Sequence, residues 1–525
     1  MNYLDIFKDD LQEFYDKTMQ FSEETLSVGD YKGFSGSFGS YAQRGAKTHM
    51  LRLRMSGGRL TKEMLKGIAE IITKFDVKRA KLTTCESIQL HDMDAKTLCE
   101  AILPAWEAGM MTRGGGGDFP RNIMCAPLSG VEKGEYFDVM PYALNMGDYM
   151  LGFIKGPKFP RKLKCAFTNT ASNATHATIR DLGFAANEDG TFDVYICGGM
   201  GNNPKLGVKA AEHIDPLNIR YYAKAMVETF KANGNYENRG RARTRYMQET
   251  LGVEGLKAEF NKQLEEAYKD SSLKIDKAEI TAWENAFAAE LKAKQDKGEK
   301  ASDELIGNKR VYAQKQDGLY AVYYQPIGGM IEPNALVKLY ETIKDMDAVE
   351  LRVTPNEGIY VINLTPSEAE KVLAVTADGA RNIFETSVAC VGAKTCQVGL
   401  GDSQGLLKLC VEELRKHDYA DGVLPQIHIS GCPSSCTGQF TAPIGFRGAM
   451  KKVGEEMQPA FTLYLGGSDK KGSEKLSEPG PIILVNDIPK LLVDIAEAVS
   501  AEKTTYAEWA EGHEAELKDI AAKYA

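Results

Sequence analysis

Two stretches of the chain carry the same succession of apolar and polar positions. Residues 50–93 begin MLRLRMSGGRL, in which apolar and basic residues alternate. Met64, Leu65, Ile68, Ile71, Ile72 and Phe75 follow at steps of three and four, and the segment ends AKLTTCESIQLHDM. Period-two alternation predicts a strand, and the three-four spacing predicts an amphipathic helix. Residues 321–364 repeat the series, with Leu336, Leu339, Tyr340, Ile343 and Met346 on the helical stretch. An offset of 271 superposes the copies without a gap, so that Gly57 and Gly58 become Gly328 and Gly329, Thr83 becomes Thr354 and Glu86 becomes Glu357. Each copy therefore reads strand, Gly-Gly turn, helix, strand. A unit used twice implies an internally duplicated α/β (α+β) fold with pseudo-two-fold symmetry.

A looser pair of segments extends the duplication. RDLGFAANEDGTFDVYICGG at 180–199 resembles APIGFRGAMKKVGEEMQPAFTLYLGG at 442–467, which has a longer central loop. The expected organisation is a helical extension over 1–40 and a first half-domain over 41–110. An α/β domain over 111–248 and a helical insert over 249–310 follow. The second half-domain spans 311–378, and a second α/β domain with C-terminal helices spans 379–525. The charge run of the insert predicts a solvated helix face.

Composition narrows the function classes. A net charge of −9 argues against coating nucleic acid or a membrane surface. No basic, apolar leader is read at the N-terminus and no stretch of 18 apolar residues occurs, so a cytoplasmic protein is expected. In that setting the ten cysteines predict metal binding or catalysis rather than disulfides.

Four of the cysteines are clustered, Cys390 and Cys396 in ACVGAKTCQVG and Cys432 and Cys436 in SGCPSSCTG. Two short loops with two thiolates each suit a four-iron cluster, and Pro433 and the flanking glycines permit tight turns between ligands. A tetrahedral zinc is the alternative, although zinc ribbons usually space their pairs as C-x2-C. Cys85, Cys99, Cys125, Cys165, Cys197 and Cys410 lie among apolar neighbours and read as small buried hydrophobes. Basic residues recur beside apolar strands, namely Arg52 and Arg54 in MLRLR, Arg121 after the glycine run, and Arg161, Lys162 and Lys164 in PRKLK. Such residues can neutralise an anion, or simply be solvated. GGGG at 114–117 and GGMGNNPKLG at 198–207 lack the rest of a phosphate-binding fingerprint. The seven histidines, His91 and His428 among them, lie singly and read as structural.

Taken together, these motifs resemble the sirohaem-dependent nitrite and sulfite reductase family, from about Tyr41 to about residue 510. GCPSSC followed by IGFRG and YLGG, ACVGAKTC, HMLRLRMSGG and PRKLK carry the resemblance. It implies ferredoxin-like half-domains, and sirohaem beside a 4Fe-4S cluster held by Cys390, Cys396, Cys432 and Cys436. It also implies that Cys436 ligates the sirohaem iron. Arg52, Arg121, Lys162 and Lys164 match the anion-binding positions, and Lys81, Thr83, Gln89 and Arg161 match positions that contact sirohaem. The implied activity is six-electron reduction of sulfite to sulfide, or of nitrite to ammonia. Lys164 leans the reading to sulfite, because several nitrite reductases carry Asn there. No flavin, NADPH or additional ferredoxin segment is evident, so electrons are expected from a separate carrier, ferredoxin by the resemblance. Two departures stand out: Cys85-Glu86 replaces the frequent Arg-Gln, and Ser434 replaces the frequent Asn. A haem-free iron–sulfur carrier or sensor and a zinc-stabilised structural protein are the competing classes.

Overall fold

The computed structural model describes residues 3–295 and 298–525. Its strands form four sheets of five strands each, and the sheets fall into two related pairs. In the first sheet Ser40–Ala42, His49–Arg54, Ser87–Met93 and Arg79–Leu82 lie side by side in that order. Its fifth strand, Met330–Ile331, comes from the second half of the chain and pairs with Ala80 and Lys81. The partner sheet has the order Val311–Ala313, Tyr320–Tyr324, Ile359–Leu364 and Glu350–Val353, and takes Arg59–Leu60 from the first half. Each half-domain thus completes the other's sheet.

The backbone repeats with the sequence. Gly57 and Gly58 have φ of +66° and +64°, and Gly328 and Gly329 have +59° and +69°. The positive φ of Glu86 (+53°) recurs at Glu357 (+64°), and that of Asp92 (+62°) at Asn363 (+66°). The expected helices are Lys62–Phe75 and Pro333–Ile343. Leu65, Ile68, Ile71 and Ile72 of the first and Leu336, Leu339 and Ile343 of the second enter one shared core. Burial of those faces, not propensity alone, holds the helices in place.

The other two sheets also match. Pro120–Cys125, Leu163–Thr168 and Leu182–Ala186 run parallel, and Phe192–Ile196 and Val208–Ile214 add on antiparallel. Val388–Ala389, Ile427–Ser430 and Ile444–Val453 are likewise parallel, followed by antiparallel Glu456–Leu465 and Glu478–Leu484. The loosely matched segments 180–199 and 442–467 are therefore equivalent hairpins. The described residues of segment 249–310 include the helices Gly252–Ala267, Lys277–Gln295 and Asp303–Gly307, and the first of these packs on the preceding sheet. Leu256 and Phe260 of the helix Gly252–Ala267 are buried in the core of the sheet before it. At the N-terminus Phe7 and Phe14 of short helices join the half-domain core. No helix among the described residues is long and apolar enough to cross a membrane.

Candidate active site

Two parallel strands of the last sheet deliver the clustered cysteines. The chain leaves the carboxyl end of Val388–Ala389 into the loop of Cys390 and Cys396, and that of Ile427–Ser430 into the loop of Cys432 and Cys436. Such crevices at strand carboxyl ends are where α/β sheets bind ligands. Ser435 takes a left-handed φ of +51° to turn the second loop, and Gly392 one of +67° in the first. A Cβ on Gly392 would sit 2.8 Å from the Ser403 nitrogen, so the position requires glycine. The Gly431 N–H donates to Cys390 Sγ at 3.1 Å, and the Ser403 hydroxyl lies 3.1 Å from the same sulfur. Burial first, then Cys390, Cys432 and Cys396, push the Cys436 thiol up to about 12 against the pull of Lys162. The four sulfurs are therefore neighbours. Yet no three His, Cys, Asp or Glu among the described residues converge on a point fit for one metal ion.

The first half-domain clamps these loops from outside. Arg44 donates to the carbonyls of Cys396 and Gly399, at 3.2 and 2.8 Å for its Nη2, and its backbone N–H donates to Thr395 O at 2.9 Å. Arg79 reaches the Thr395 hydroxyl at 2.7 Å, and Thr84 Oγ1 donates to Cys436 O at 2.9 Å. Inside, Gln404 Nε2 donates to the Ala389 and Cys390 carbonyls at 2.6 and 3.2 Å.

A cavity of about 380 Å3 separates the two halves. Cys390, Cys396 and Cys436 open onto one side of it, and Arg52, Arg121, Lys162 and Lys164 line it too. Cys436 is exposed to this cavity while protein encloses it on every other side. Arg121 anchors itself to the glycine run, donating to Gly115 O at 2.7 Å and Gly117 O at 3.0 Å. Burial lowers its guanidinium to about 10. Arg52 donates to the same Gly115 carbonyl, and the Gln89 amide oxygen is placed to accept from Arg52. Burial drives the Lys162 ammonium well below its usual range, and Arg121, Arg243 and Lys164 drive it further. For Lys164, Cys85 acts to raise the pKa, but burial, Arg180 and Arg243 together bring it below normal. Crowding of cations in an enclosed space is what an anion relieves.

Not every expected residue faces the cavity. Arg54 is buried and donates to the carbonyls of Arg113 and Arg121 at 2.7 and 2.9 Å, bracing the glycine run. Arg161 pairs instead with Asp118 at 2.8 Å, which Arg239 also holds. Lys81 borders the cavity, but its ammonium is taken by Glu357 at 2.9 Å and by the carbonyls of Gly328 and Ala389 at 2.7 and 2.9 Å. It staples the halves together. Thr83 lines the cavity and its hydroxyl accepts from Ser87 N at 3.2 Å, holding the turn between strands. Of the residues that depart from the family pattern, Glu86 points away, accepting from Cys125 N at 2.9 Å, while Cys85 and Ser434 line the cavity. Cys125, Cys165, Cys197 and Cys410 are buried as expected, and Cys99 and Cys85 are partly so, Cys85 packing near Met124, Ala166 and Ala177 while also lining the cavity.

Sequence reading missed Arg180 and Arg243, both in the cavity wall. The signal for Arg243 was present as arginines at 239, 241, 243 and 245. Asp181 accepts from Arg243 Nη2 at 2.8 Å and fixes it. His176 and His428 also line the cavity, and His176 pairs with Asp469 at 2.9 Å.

Comparison with known proteins agrees with this geometry. The model of the nitrite/sulfite reductase ferredoxin-like half domain matches residues 41–102 and 312–378, the two half-domains. That of the nitrite and sulphite reductase 4Fe-4S domain matches residues 116–268, the first of the two related parallel-strand units. The chain belongs to the nitrite and sulfite reductase family. It is 26% identical over 441 residues to a ferredoxin–nitrite reductase of Synechococcus elongatus, covering 80% of each chain. It is 23% identical to sulfite reductase [ferredoxin] 1 of Mycolicibacterium paratuberculosis, covering 80% of this chain and 74% of that one. The Mycobacterium tuberculosis NirA structure shares the fold, with a TM-score of 0.74 at 20% identity over 94% of this chain and 91% of that one.

As a family member the chain is a sirohaem and iron–sulfur oxidoreductase, with sirohaem and a 4Fe-4S cluster as cofactors. The residues present fit both groups. Sirohaem carries many carboxylates, and buried N–H groups of Arg121, Arg243 and Arg245 at and beside the cavity have no protein partner. The four neighbouring thiols, with the Gly431 amide donating to Cys390 Sγ, are of the chemistry that a cluster needs.

Proposed function

We propose that this protein reduces sulfite to sulfide with six electrons. Cys390, Cys396, Cys432 and Cys436 would hold the cluster, with Cys436 also bound to the sirohaem iron. Thr83, Gln89, Arg180 and Arg243 would meet the macrocycle and its carboxylates. Lys81 acts there only through the loops it staples, and Arg161 only through Asp118. When bound, the two cofactors supply the electrons, one at a time, to the reacting anion. The chain's own part is electrostatic. Arg52 and Arg121, fixed by carbonyls of the glycine run, orient the anion's oxygens. Lys162 and Lys164 neutralise growing negative charge and give up protons as the oxygens leave as water. Fixed cations in an enclosed cavity need no reorganisation as that charge grows.

Lys164 is the observation that carries the choice of sulfite. It faces the cavity as one more cation than several nitrite reductases have, and a dianion gains more from it than a monoanion. Lys164→Asn is expected to lower kcat/KM for sulfite about tenfold more than for nitrite. Equal losses for the two anions would remove the case for sulfite and leave nitrite reduction to ammonia by the same residues.

Electrons come from a separate carrier of the ferredoxin class, as the names of the ferredoxin-dependent relatives indicate for those proteins. The cytoplasm is the setting that keeps clustered thiols reduced.

A further inference from the structure

The turn between Ser40–Ala42 and His49–Arg54, and its duplicate 271 residues later, each reach across to the other half of the molecule. The Arg44 N–H donates to Thr395 O at 2.9 Å, as the Lys315 N–H donates to Val131 O at 2.9 Å. Gln43 Oε1 accepts from Asp92 N at 3.0 Å, as Gln314 Oε1 accepts from Asn363 N at 2.6 Å. The backbone clamp is thus the same in both copies, but the side chains differ. Lys315 ends on the Glu135 carboxylate at 2.6 Å. Arg44 ends on carbonyls of the loop that carries Cys390 and Cys396. Its Nη2 donates to Gly399 O at 2.8 Å, and Nη2 and Nε donate to Cys396 O at 3.2 and 3.3 Å. Three other cations around that loop each meet an acid: Arg79 meets Asp92 at 2.7 Å, Lys394 meets Asp402 at 2.8 Å and Lys81 meets Glu357 at 2.9 Å. Of these four, Arg44 is the one that meets no carboxylate.

We propose that Arg44 is a positioning residue for the iron–sulfur centre, acting through the Cys396 loop, and that its unneutralised charge raises the cluster's reduction potential. This rests on the reading of the four thiols as the cluster's ligands. Four thiolates leave such a cluster negatively charged, and an electron taken up adds to that charge. A fixed cation on the ligand loop therefore favours the reduced state, by an amount that falls with distance and dielectric. Arg79, Lys394 and Lys81 add little, because the carboxylates they meet cancel their charge. The guanidinium of Arg44 stays charged at any working pH. Its planar fork spans two carbonyls of one loop, which holds the charge at the backbone of a ligand. A cluster that is easier to reduce takes electrons more readily from the separate carrier. Arg44 need touch neither a sulfur nor the substrate to have this effect.

The test is a redox titration of the cluster in purified holoenzyme at low ionic strength, followed by electron paramagnetic resonance. Arg44→Gln removes the charge and is expected to lower the reduced-to-oxidised ratio at a fixed potential about fivefold, ~41 mV for one electron. Arg44→Lys keeps the charge and is expected to stay within about twofold of wild type. Lys315→Gln removes the cation of the duplicate clamp and is expected to leave the potential unchanged. Because Arg44 is exposed, the gap between wild type and Arg44→Gln should narrow as salt rises. An unchanged potential in Arg44→Gln, a fall in Arg44→Lys as deep as that in Arg44→Gln, or an equal fall in Lys315→Gln overturns the proposal. Should Arg44→Gln lose its cluster, Arg44→Met, which keeps an apolar stem, makes the same comparison. Acid-labile sulfide is counted on every sample. Wild-type protein without it would sink the cluster reading itself, whereas a full cluster whose potential ignores Arg44 would sink this proposal alone.

Discussion

His49 and His91 are 1% and 2% exposed, and burial lowers their imidazoles to about 4 and about 3. Unfolding returns them to an ordinary value near 6.5, so between these limits the unfolded state binds more protons. Their contribution is complete above about pH 6.5 and is lost as pH falls toward the folded values. Each should lose about 2 kcal/mol between about pH 8 and pH 5. Urea midpoints across that range should fall with acid, and less steeply in His91→Gln; a flat profile would contradict this. At the same scale, Cys432→Ser should lose acid-labile sulfide and cluster iron, while Cys410→Ser, deep in a hydrophobic core, should lose stability and keep its cluster. The clustered thiols and the cavity lysines were legible because residue type and spacing carry their chemistry. The place of Cys85 in the cavity wall was not, since an isolated thiol between apolar residues reads as filler until its three-dimensional neighbours are known. The ion pairs of Lys81 and Arg161 were not legible for a similar reason. Their partners, Glu357 and Asp118, lie far away in sequence.

At the scale of elements, the Gly-Gly turn does what the duplicated pattern implied, but for a reason visible only in space. A Cβ on Gly58 would lie 2.5 Å from Val353 O, and one on Gly329 3.1 Å from Leu82 O, each in the opposite half. The turn lets the two half-domains approach. Gly58→Ala combines a left-handed backbone with a backbone clash and should cost about 1–3 kcal/mol. Gly190→Ala has φ of +80° with open space around it and should cost less. Comparing their thermal midpoints tests the close-approach argument; equal losses would refute it. The helices and long strands were legible from periodicity. The exchanged strands Arg59–Leu60 and Met330–Ile331 were not, because two residues hold no period and their partners lie in the other half.

Across the described residues, duplication gives two half-domains, but the cationic cavity beside the thiols is not repeated in the second half. The second-half counterparts of Arg52 and Gln89 are Tyr323 and Tyr360, whose rings pack 4.6 Å apart, and Tyr312 closes on Tyr360 at 5.4 Å. The counterpart of Lys81 is Arg352, which turns to Glu350 at 2.7 Å for its Nε. Aromatic packing thus fills the position that mirrors the anion site, and the first half supplies most of the cations while the second supplies the thiols. Neither half is complete. Residues 1–310 and 311–525 expressed apart should therefore show no cooperative unfolding and no cluster. A folded, cluster-bearing second half would contradict the exchange.

The central claim is that four thiols and a cationic cavity hold a sirohaem beside a 4Fe-4S cluster. It is tested most directly by the absorption spectrum of anaerobically purified protein, with iron and acid-labile sulfide counted on the same sample. The prediction is sirohaem bands with about five irons and about four sulfides per chain. Cluster iron and sulfide without sirohaem bands, in protein made with the cofactor in supply, would contradict it and point to an electron carrier or sensor.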